Sequence, residues 1–316
     1  MEPNKIRHIA LIGLGTIGMS MAAVHLRDPH CVLDFFDVRP DLEQQVLAQM
    51  PSFLKAVAPN LSIETLLSPG RINIHPTLES AVASATIIQE QGPENAAFKK
   101  SLWAQIERFA PRDAHFWSST SGIPASVQSA DMEDKSRLLV VHPFNPPHIM
   151  PLLEIVPGPR TKSEEVDFVM DYFHTVSPRH RPVLIKKEVS GFVGNRIAFA
   201  VLREASYLVD QGVISVQDLD KLMMASLGPR WSVNGVFESY NAGGGEGGFG
   251  GFLNKLEGTI SDVWSELGTL DIKESDAAWR DKLVTEVEAT YSRPTPEENS
   301  AKAAKLQELL QLQDNK

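Results

Sequence analysis

The sequence predicts an α/β protein, with a doubly wound, mostly parallel sheet in residues 1–187 and an all-helical part in residues 188–316. Three observations carry that reading. Short β-type runs alternate with helical stretches as far as Lys187, which is how strand–helix–strand units with helices on both faces of one sheet are written. Several of the runs are almost wholly apolar, as strands buried on both faces must be. Beyond Lys187 the apolar residues recur at helical spacing instead, with Phe199, Leu202, Ala205, Leu208 and Val209 on one face.

The β-type runs, in order, are 8–14, 31–37, 71–75, 86–91, 115–120, 138–142, 152–156 and 182–186. Between them, 96–109 and 164–176 carry helical apolar spacing. In the second part a helix is expected over 191–210, covering that part's own core by default. Ser215 reads as the N-cap of the next helix, with Asp218 three residues on. Residues 300–313 read as a charged amphipathic helix. Residues 243–251 are almost all glycine. They are expected to be either a flexible linker or a backbone close to a ligand, with Glu246 as a polar contact.

Composition sets outer limits. A chain of 316 residues is long enough for two domains. Its formal net charge of −10 argues against nucleic acid or an anionic membrane as partner, because the long-range field repels both. An anionic small ligand then needs its own local Arg or Lys. Cys31 is the one cysteine, so no internal disulfide forms, and a cytoplasmic location is expected. No apolar run approaches the roughly 20 residues that span a bilayer. The apolar stretch 9–21 is broken by Gly13, Gly15 and Gly18 and lacks a cleavage pattern, so it does not read as a signal peptide. No HExxH, CxxC or carboxylate pair at ligand spacing occurs, so no metal is expected.

Gly13-Leu14-Gly15-Thr16-Ile17-Gly18 follows the first run directly and opens a helix. The first glycine permits a tight turn. The second lets backbone N–H groups approach a pyrophosphate, and the third allows close helix–strand packing. Asp37 ends the second run, where a carboxylate bonds the adenosine ribose hydroxyls. Strand, glycines and acid together predict a Rossmann-type dinucleotide site with Gly13, Gly15, Thr16, Ile17, Gly18 and Asp37 as its contacts. A carboxylate at 37 repels a 2′-phosphate, which favours NAD over NADP. Arg39 is read as a solvated loop residue.

His142 ends an apolar run and Pro143, Pro146 and Pro147 follow it. In open α/β sheets, ligands bind beyond the carboxyl ends of strands. Glu154 lies inside the next apolar run, where a carboxylate is costly unless paired. Bonded to one imidazole nitrogen, it would fix the His142 tautomer and leave the other nitrogen to accept a proton. A purely structural His–Glu pair fits the same residues. Ser118 to Gly122 end another strand, and their hydroxyls serve either a substrate oxygen or turn chemistry. Asn195 sits early in a helix, where Asn is slightly unfavourable and wants a reason.

Taken together, GLGTIG, Asp37, PEN with Lys99, STSG, HPFNPP, Glu154 and SGFVGNR, in this order, resemble the L-3-hydroxyacyl-CoA dehydrogenase superfamily over nearly the whole chain. The resemblance implies an NAD-dependent dehydrogenase with Ser121, His142, Glu154 and Asn195 as catalytic residues. It places Glu94 and Lys99 near the nicotinamide half of NAD, Asn145 at the substrate, and a homodimer built by the helical part. IIQEQGPEN, HPFNPPHIMPLLEIVPGP and LGPRWSVNGVFE resemble most closely the λ-crystallin/L-gulonate 3-dehydrogenase branch, whose substrate is a free hydroxy acid. There Arg230 matches the carboxylate-binding arginine; read alone, it is a surface charge beside Trp231. Residues 41–68 hold Lys55 as their one cation, which argues against the cation-rich helix that a CoA ligand wants. The rival readings are a true 3-hydroxyacyl-CoA dehydrogenase and a non-catalytic, crystallin-like NAD-binding protein.

Overall fold

A computed structural model describes residues 6–67, 70–273 and 278–314. The chain divides into two compact units, Met1–Arg196 and Ile197–Lys316. In the first unit the elements run β1 (Arg7–Ile12), α1 (Thr16–His25), β2 (Cys31–Phe36), α2 (Leu42–Val57), α3 (Ile63–Leu67), β3 (Ile72–Ile74), α4 (Leu78–Val82), β4 (Ile87–Glu90), α5 (Ala96–Phe109), β5 (His115–Ser118), α6 (Ala125–Gln128), β6 (Leu138–Pro143), β7 (Leu152–Pro157), α7 (Ser163–Val176) and β8 (Arg181–Leu184). The strands form one sheet in the order β3-β2-β1-β4-β5-β6-β7-β8. Only the β6–β7 pairing is antiparallel, and it sets His142 opposite Glu154.

The pleat explains the nearly continuous apolar runs. Along β1, Ile9 and Leu11 enter one core while Ala10 and Ile12 enter the other. Along β6, Leu139 and Val141 face the first core, and Leu138 and Val140 the second. The inner strands therefore need apolar side chains on both faces. The first core takes Met19 and Met21 of α1, Val46 of α2, and Tyr172 and Phe173 of α7. The second takes Leu102, Trp103 and Ile106 of α5. Each such side chain contributes roughly 1.5–3 kcal/mol by leaving water. The consequence for the site is a rigid frame whose strand ends are held in place from both sides.

Helix α8 (Gly194–Asp210) starts in the first unit, and the division falls inside it. The second unit continues with α9 (Val216–Ala225), α10 (Leu227–Val233), α11 (Val236–Gly243), a 3-10 turn (Gly245–Gly247), α12 (Gly248–Glu266), α13 (Ala278–Thr290) and α14 (Pro296–Asp314). Ser215 caps α9 as expected, its Oγ accepting the Asp218 N–H at 3.1 Å. Two expectations change. The glycine-rich run is not a flexible linker but a tight corner between α11 and α12. Gly245 and Gly248 have φ of +59° and +54°, and a Cβ on Gly244 would overlap the Gly248 carbonyl oxygen. The Phe249 N–H donates to Asn241 Oδ1 across the corner at 2.9 Å. The second correction concerns α8. Phe199 and Leu202, read as facing the unit's own core, are 60% and 55% exposed.

Candidate active site

The glycine turn leaves β1 and enters α1. Gly13 has φ +94°, and a Cβ there would come within 3.0 Å of the Gln91 backbone. A Cβ on Gly18 would overlap the Gly13 carbonyl oxygen, so only glycine lets α1 sit this close to the turn. Gly15 is the N-cap of α1 and makes no side-chain capping bond, and no acid sits in the first turn. The first N–H groups of a helix have no intrahelical partner, and here Gly15 and Thr16 at that end are exposed. A Cβ on Gly15 would meet nothing within 4 Å. An uncapped helix N-terminus with open space before it fits the pyrophosphate of a dinucleotide.

Asp37 stands at the end of β2. Its Oδ2 accepts the Leu14 N–H at 2.8 Å, which ties it to the glycine turn. Burial alone would raise its carboxyl; hydrogen bonds from the Arg39 side chain and the Leu14 and Arg39 N–H groups outweigh that and hold it below the usual carboxylate range. Arg39 is thus not a solvated loop residue. Its Nε and Nη2 grip Asp37 at 3.1 Å each, and Nη2 also donates to the Leu14 carbonyl at 2.8 Å. Asp37 and Arg39 line a cavity of about 640 Å³ with Gly13, Leu78, Gly92 and Phe98.

The second cavity, about 470 Å³, brings Ile17 of the turn together with Glu94, Ser121, His142, Asn145 and Asn195. His142 Nδ1 lies 2.8 Å from Glu154 Oε2, and both residues are buried. The other carboxylate oxygen, Oε1, accepts the N–H groups of Val193 and Gly194, each at 2.9 Å. Burial pushes the Glu154 carboxyl up, but the bonds from His142, Gly194 and Val193 prevail and bring it below the usual value. An ionised carboxylate only accepts, so His142 must carry its proton on Nδ1. Nε2 is left with its lone pair. Phe144 and Phe192 flank the ring, with centroids at 5.2 and 5.6 Å.

Around the imidazole the polar groups are tied to one another. Asn195 Nδ2 donates to the Ser121 carbonyl at 2.9 Å. Glu94 Oε1 accepts from Thr120 Oγ1 at 2.6 Å, from the Ser121 N–H at 3.1 Å and from Ser121 Oγ at 3.2 Å. Lys99 lies behind the cavity wall rather than on it. It is fully buried, with Nζ 2.7 and 2.8 Å from the two oxygens of Glu90. Glu90 in turn accepts the Gly92 N–H and the Ser118 hydroxyl. Lys99 therefore holds Glu90, which accepts the N–H of Gly92, a residue that lines both cavities.

Sequence reasoning passed over several of these partners. The Val193 and Gly194 amides orient Glu154; the signal was the glycine pair of SGFVGN, since Gly191 has φ +73° and a Cβ on Gly194 would overlap the Phe144 ring. Ser119 also lines the cavity and accepts from Gln89 Nε2 at 2.9 Å. Gln89 Oε1 is 2.7 Å from His25 Nε2, and His25 Nδ1 is 2.7 Å from the Tyr172 hydroxyl. Burial pushes the His25 imidazole down to about 4, so it is neutral in this network. Arg230 belongs to the second unit, where it lines a separate cavity of about 680 Å³ with Trp231, Tyr240 and Gly243. Among the described residues no cluster of three or more His, Cys, Asp or Glu could hold a metal. No described helix is long and apolar enough to cross a membrane.

Comparison with known proteins agrees with this geometry. Residues 8–189 match the family described as "3-hydroxyacyl-CoA dehydrogenase, NAD binding domain", and residues 191–263 match "3-hydroxyacyl-CoA dehydrogenase, C-terminal domain". A 3-hydroxyacyl-CoA dehydrogenase of Gibberella moniliformis is 36% identical, covering 80% of this chain and 77% of that protein. An L-carnitine dehydrogenase of Streptomyces coelicolor is 32% identical, covering 95% and 99%. The crystal structure of an NAD+-dependent dismutase, 5-formyl-3-hydroxy-2-methylpyridine 4-carboxylic acid 5-dehydrogenase, superposes with a TM-score of 0.78. It is 27% identical and covers 98% of this chain and 97% of its own. The chain therefore belongs to the 3-hydroxyacyl-CoA dehydrogenase family and is an NAD-dependent oxidoreductase acting on a hydroxyl group.

Proposed function

We propose that the chain dehydrogenates the secondary alcohol of a free 3-hydroxy acid, with His142 as the proton acceptor. One observation carries the reading. Glu154 holds the imidazole with Nδ1 protonated, and His142 lines a cavity shared with Ile17 of the glycine turn. NAD, which the Gly13–Gly18 turn and Asp37 would hold, would supply the acceptor for the hydride of the carbon that bears the hydroxyl. Nε2 takes the hydroxyl proton, and the Glu154 carboxylate stabilises the imidazolium that forms. Asn195 keeps a second amide N–H beyond the one spent on Ser121, and the Ser121 hydroxyl can turn from Glu94 toward a substrate oxygen. Donors set in advance at a developing oxyanion are worth roughly 2.7–4 kcal/mol each. In reverse, protonated His142 is the acid.

The free-acid reading rests on charge. Residues 41–68 offer Lys55 as their one cation, too little for a ligand with several phosphates. Arg230 is the proposed partner of the substrate carboxylate, as a guanidinium forms a bidentate pair with it, and Asn145 is a proposed second contact. L-carnitine, which names several relatives, is itself a free 3-hydroxy acid. The name of the Gibberella relative favours the thioester reading instead. A panel of L-carnitine, L-gulonate, 3-hydroxybutyrate and acetoacetyl-CoA, followed by NADH fluorescence, decides. Turnover of a free acid is expected, and Arg230→Ala should raise its KM sharply while leaving a neutral alcohol nearly unchanged. Turnover of thioesters alone would sink the free-acid reading. Tight NADH binding without any turnover would favour the crystallin-like role.

A further inference from the structure

A line of buried hydrogen bonds leads from the core of the first unit to the wall of the His142 cavity. It begins at the Tyr172 hydroxyl of α7, 2.7 Å from His25 Nδ1 in the last turn of α1. His25 Nε2 is 2.7 Å from Gln89 Oε1 on β4, and Gln89 Nε2 donates at 2.9 Å to Oγ of Ser119, which follows β5. Tyr172, His25 and Gln89 are fully buried. Ser119 lines the cavity of about 470 Å³ beside Ile17, His142 and Asn195.

Donor and acceptor roles give the line a direction. An amide oxygen only accepts and an amide NH2 only donates, so Gln89 Oε1 needs the His25 proton on Nε2. The imidazole is neutral, since burial holds it down to about 4. Nδ1 therefore keeps a lone pair and accepts the Tyr172 O–H. The opposite direction turns the Gln89 amide over and has Nδ1 donate to the phenol. That leaves the buried Tyr172 O–H, whose partner here is His25, with no acceptor, which is costly.

A serine hydroxyl ordinarily rotates to suit its neighbours. Here the Gln89 NH2 occupies the oxygen, and the Ser119 N–H is spent on the Glu90 carbonyl at 2.8 Å. The O–H has no acceptor among the described residues, so its proton is left to the cavity. In the sheet, β4 and β5 lie between β1, which carries the glycine turn, and β6, which carries His142. The hydroxyl thus borders the space where coenzyme and substrate must meet.

We propose that His25 and Gln89 are positioning residues, which hold the Ser119 hydroxyl as a donor toward a carbonyl or carboxylate oxygen of the ligand in this cavity. Such an oxygen belongs either to the carboxamide of the nicotinamide or to the acid substrate, and the test separates the two. The inference rests on this cavity being the reaction site and not on which acid is turned over.

The full chain is compared as the parent, Ser119→Ala, Gln89→Glu and the double variant. Nicotinamide fluorescence reads NADH affinity, steady-state rates read KM for the best panel substrate, and imidazole ¹⁵N shifts locate the His25 proton. The parent should carry that proton on Nε2. Ser119→Ala should weaken NADH binding or raise KM by about three- to tenfold; the first assigns the oxygen to the coenzyme, the second to the acid. Gln89→Glu keeps the shape, but its carboxylate only accepts. The Ser119 O–H then turns inward, and the same ligand should weaken at least as much. In the Ser119→Ala background that loss should shrink at least about threefold, leaving only the effect of the added charge. The proposal is overturned if His25 carries its proton on Nδ1, or if the Gln89→Glu loss is equal in both backgrounds. It is overturned equally if Ser119→Ala leaves NADH affinity and KM within about twofold of the parent, the mark of a hydroxyl that serves Gln89 alone. Should Gln89→Glu not fold, the parent and Ser119→Ala still decide. If the parent binds NADH and turns over no panel substrate, the proposed function falls, while the His25 proton and the NADH titrations still decide this inference.

Discussion

Glu154→Gln exchanges one carboxylate oxygen for an NH2 group and should reverse the tautomer of His142. The glutamate accepts three hydrogen bonds in the structure, from the Val193 and Gly194 N–H groups on Oε1 and from His142 Nδ1 on Oε2. A glutamine has one accepting oxygen and one donating NH2. With its oxygen toward the two amides, its NH2 meets Nδ1, which must then accept; the proton moves to Nε2 and the lone pair leaves the cavity. With the amide turned over, His142 keeps its tautomer but the part-buried Val193 and Gly194 N–H groups lose their acceptor and face an NH2 donor. Each lost bond is worth about 0.5–1.5 kcal/mol, so the first orientation wins by about 1–3 kcal/mol. The same reversal in a Ser-His-Asp triad lowers turnover on the order of 10⁴-fold, and a loss of that order is expected here. Imidazole ¹⁵N shifts report the tautomer, and steady-state NADH formation with the best panel substrate reports the rate. A His142 that still carries its proton on Nδ1, or turnover within about tenfold of the parent, would refute the reasoning.

Three further outcomes follow from the geometry. Burial pushes His25 and His180 each down to about 4, so folding favours their neutral forms. The unfolded chain binds those protons first; stability is therefore complete above about pH 6.5 and falls between about 6.5 and 4, by about 3 kcal/mol for each histidine. Urea midpoints across that range should decline, and a flat profile would contradict the buried neutral assignment. Gly18→Ala places a methyl against the Gly13 carbonyl oxygen, which should destabilise the first unit by about 1–3 kcal/mol and weaken NADH binding, read by thermal melting and fluorescence titration. We also propose that the chain is a homodimer, since α8 exposes Ile197, Phe199 and Leu202; light scattering should return twice the chain mass, and a monomer at micromolar concentration would count against it.

Much of the frame is written locally. The inner strands of the sheet read as apolar runs because both pleat faces are buried, and the Gly13–Gly18 turn with Asp37 announces itself by spacing. Glu154 stood out because a carboxylate inside Leu152–Pro157 demands a partner, and the antiparallel β6–β7 register supplies His142. What stayed hidden depends on tertiary approach. Nothing in the paired lysines Lys99 and Lys100 tells which of them is buried on Glu90. Arg39 reads as loop because its hold on Leu14 exists only once β1 and β2 lie side by side. His25 reads as an ordinary helix residue until Gln89 and Tyr172 close around it. The glycine-rich run reads as slack because composition cannot distinguish freedom from the positive φ values that a tight corner requires.

Removing the acceptor itself is the most direct trial of the mechanism. His142→Gln keeps a polar side chain of similar reach and takes away the proton-accepting nitrogen. With coenzyme affinity and catalytic rate measured on the same preparation, NADH should bind as tightly as to the parent while turnover falls at least about 10²–10⁴-fold, the contribution of a general base. Turnover near the parent value, with NADH still bound, would contradict the assignment of His142.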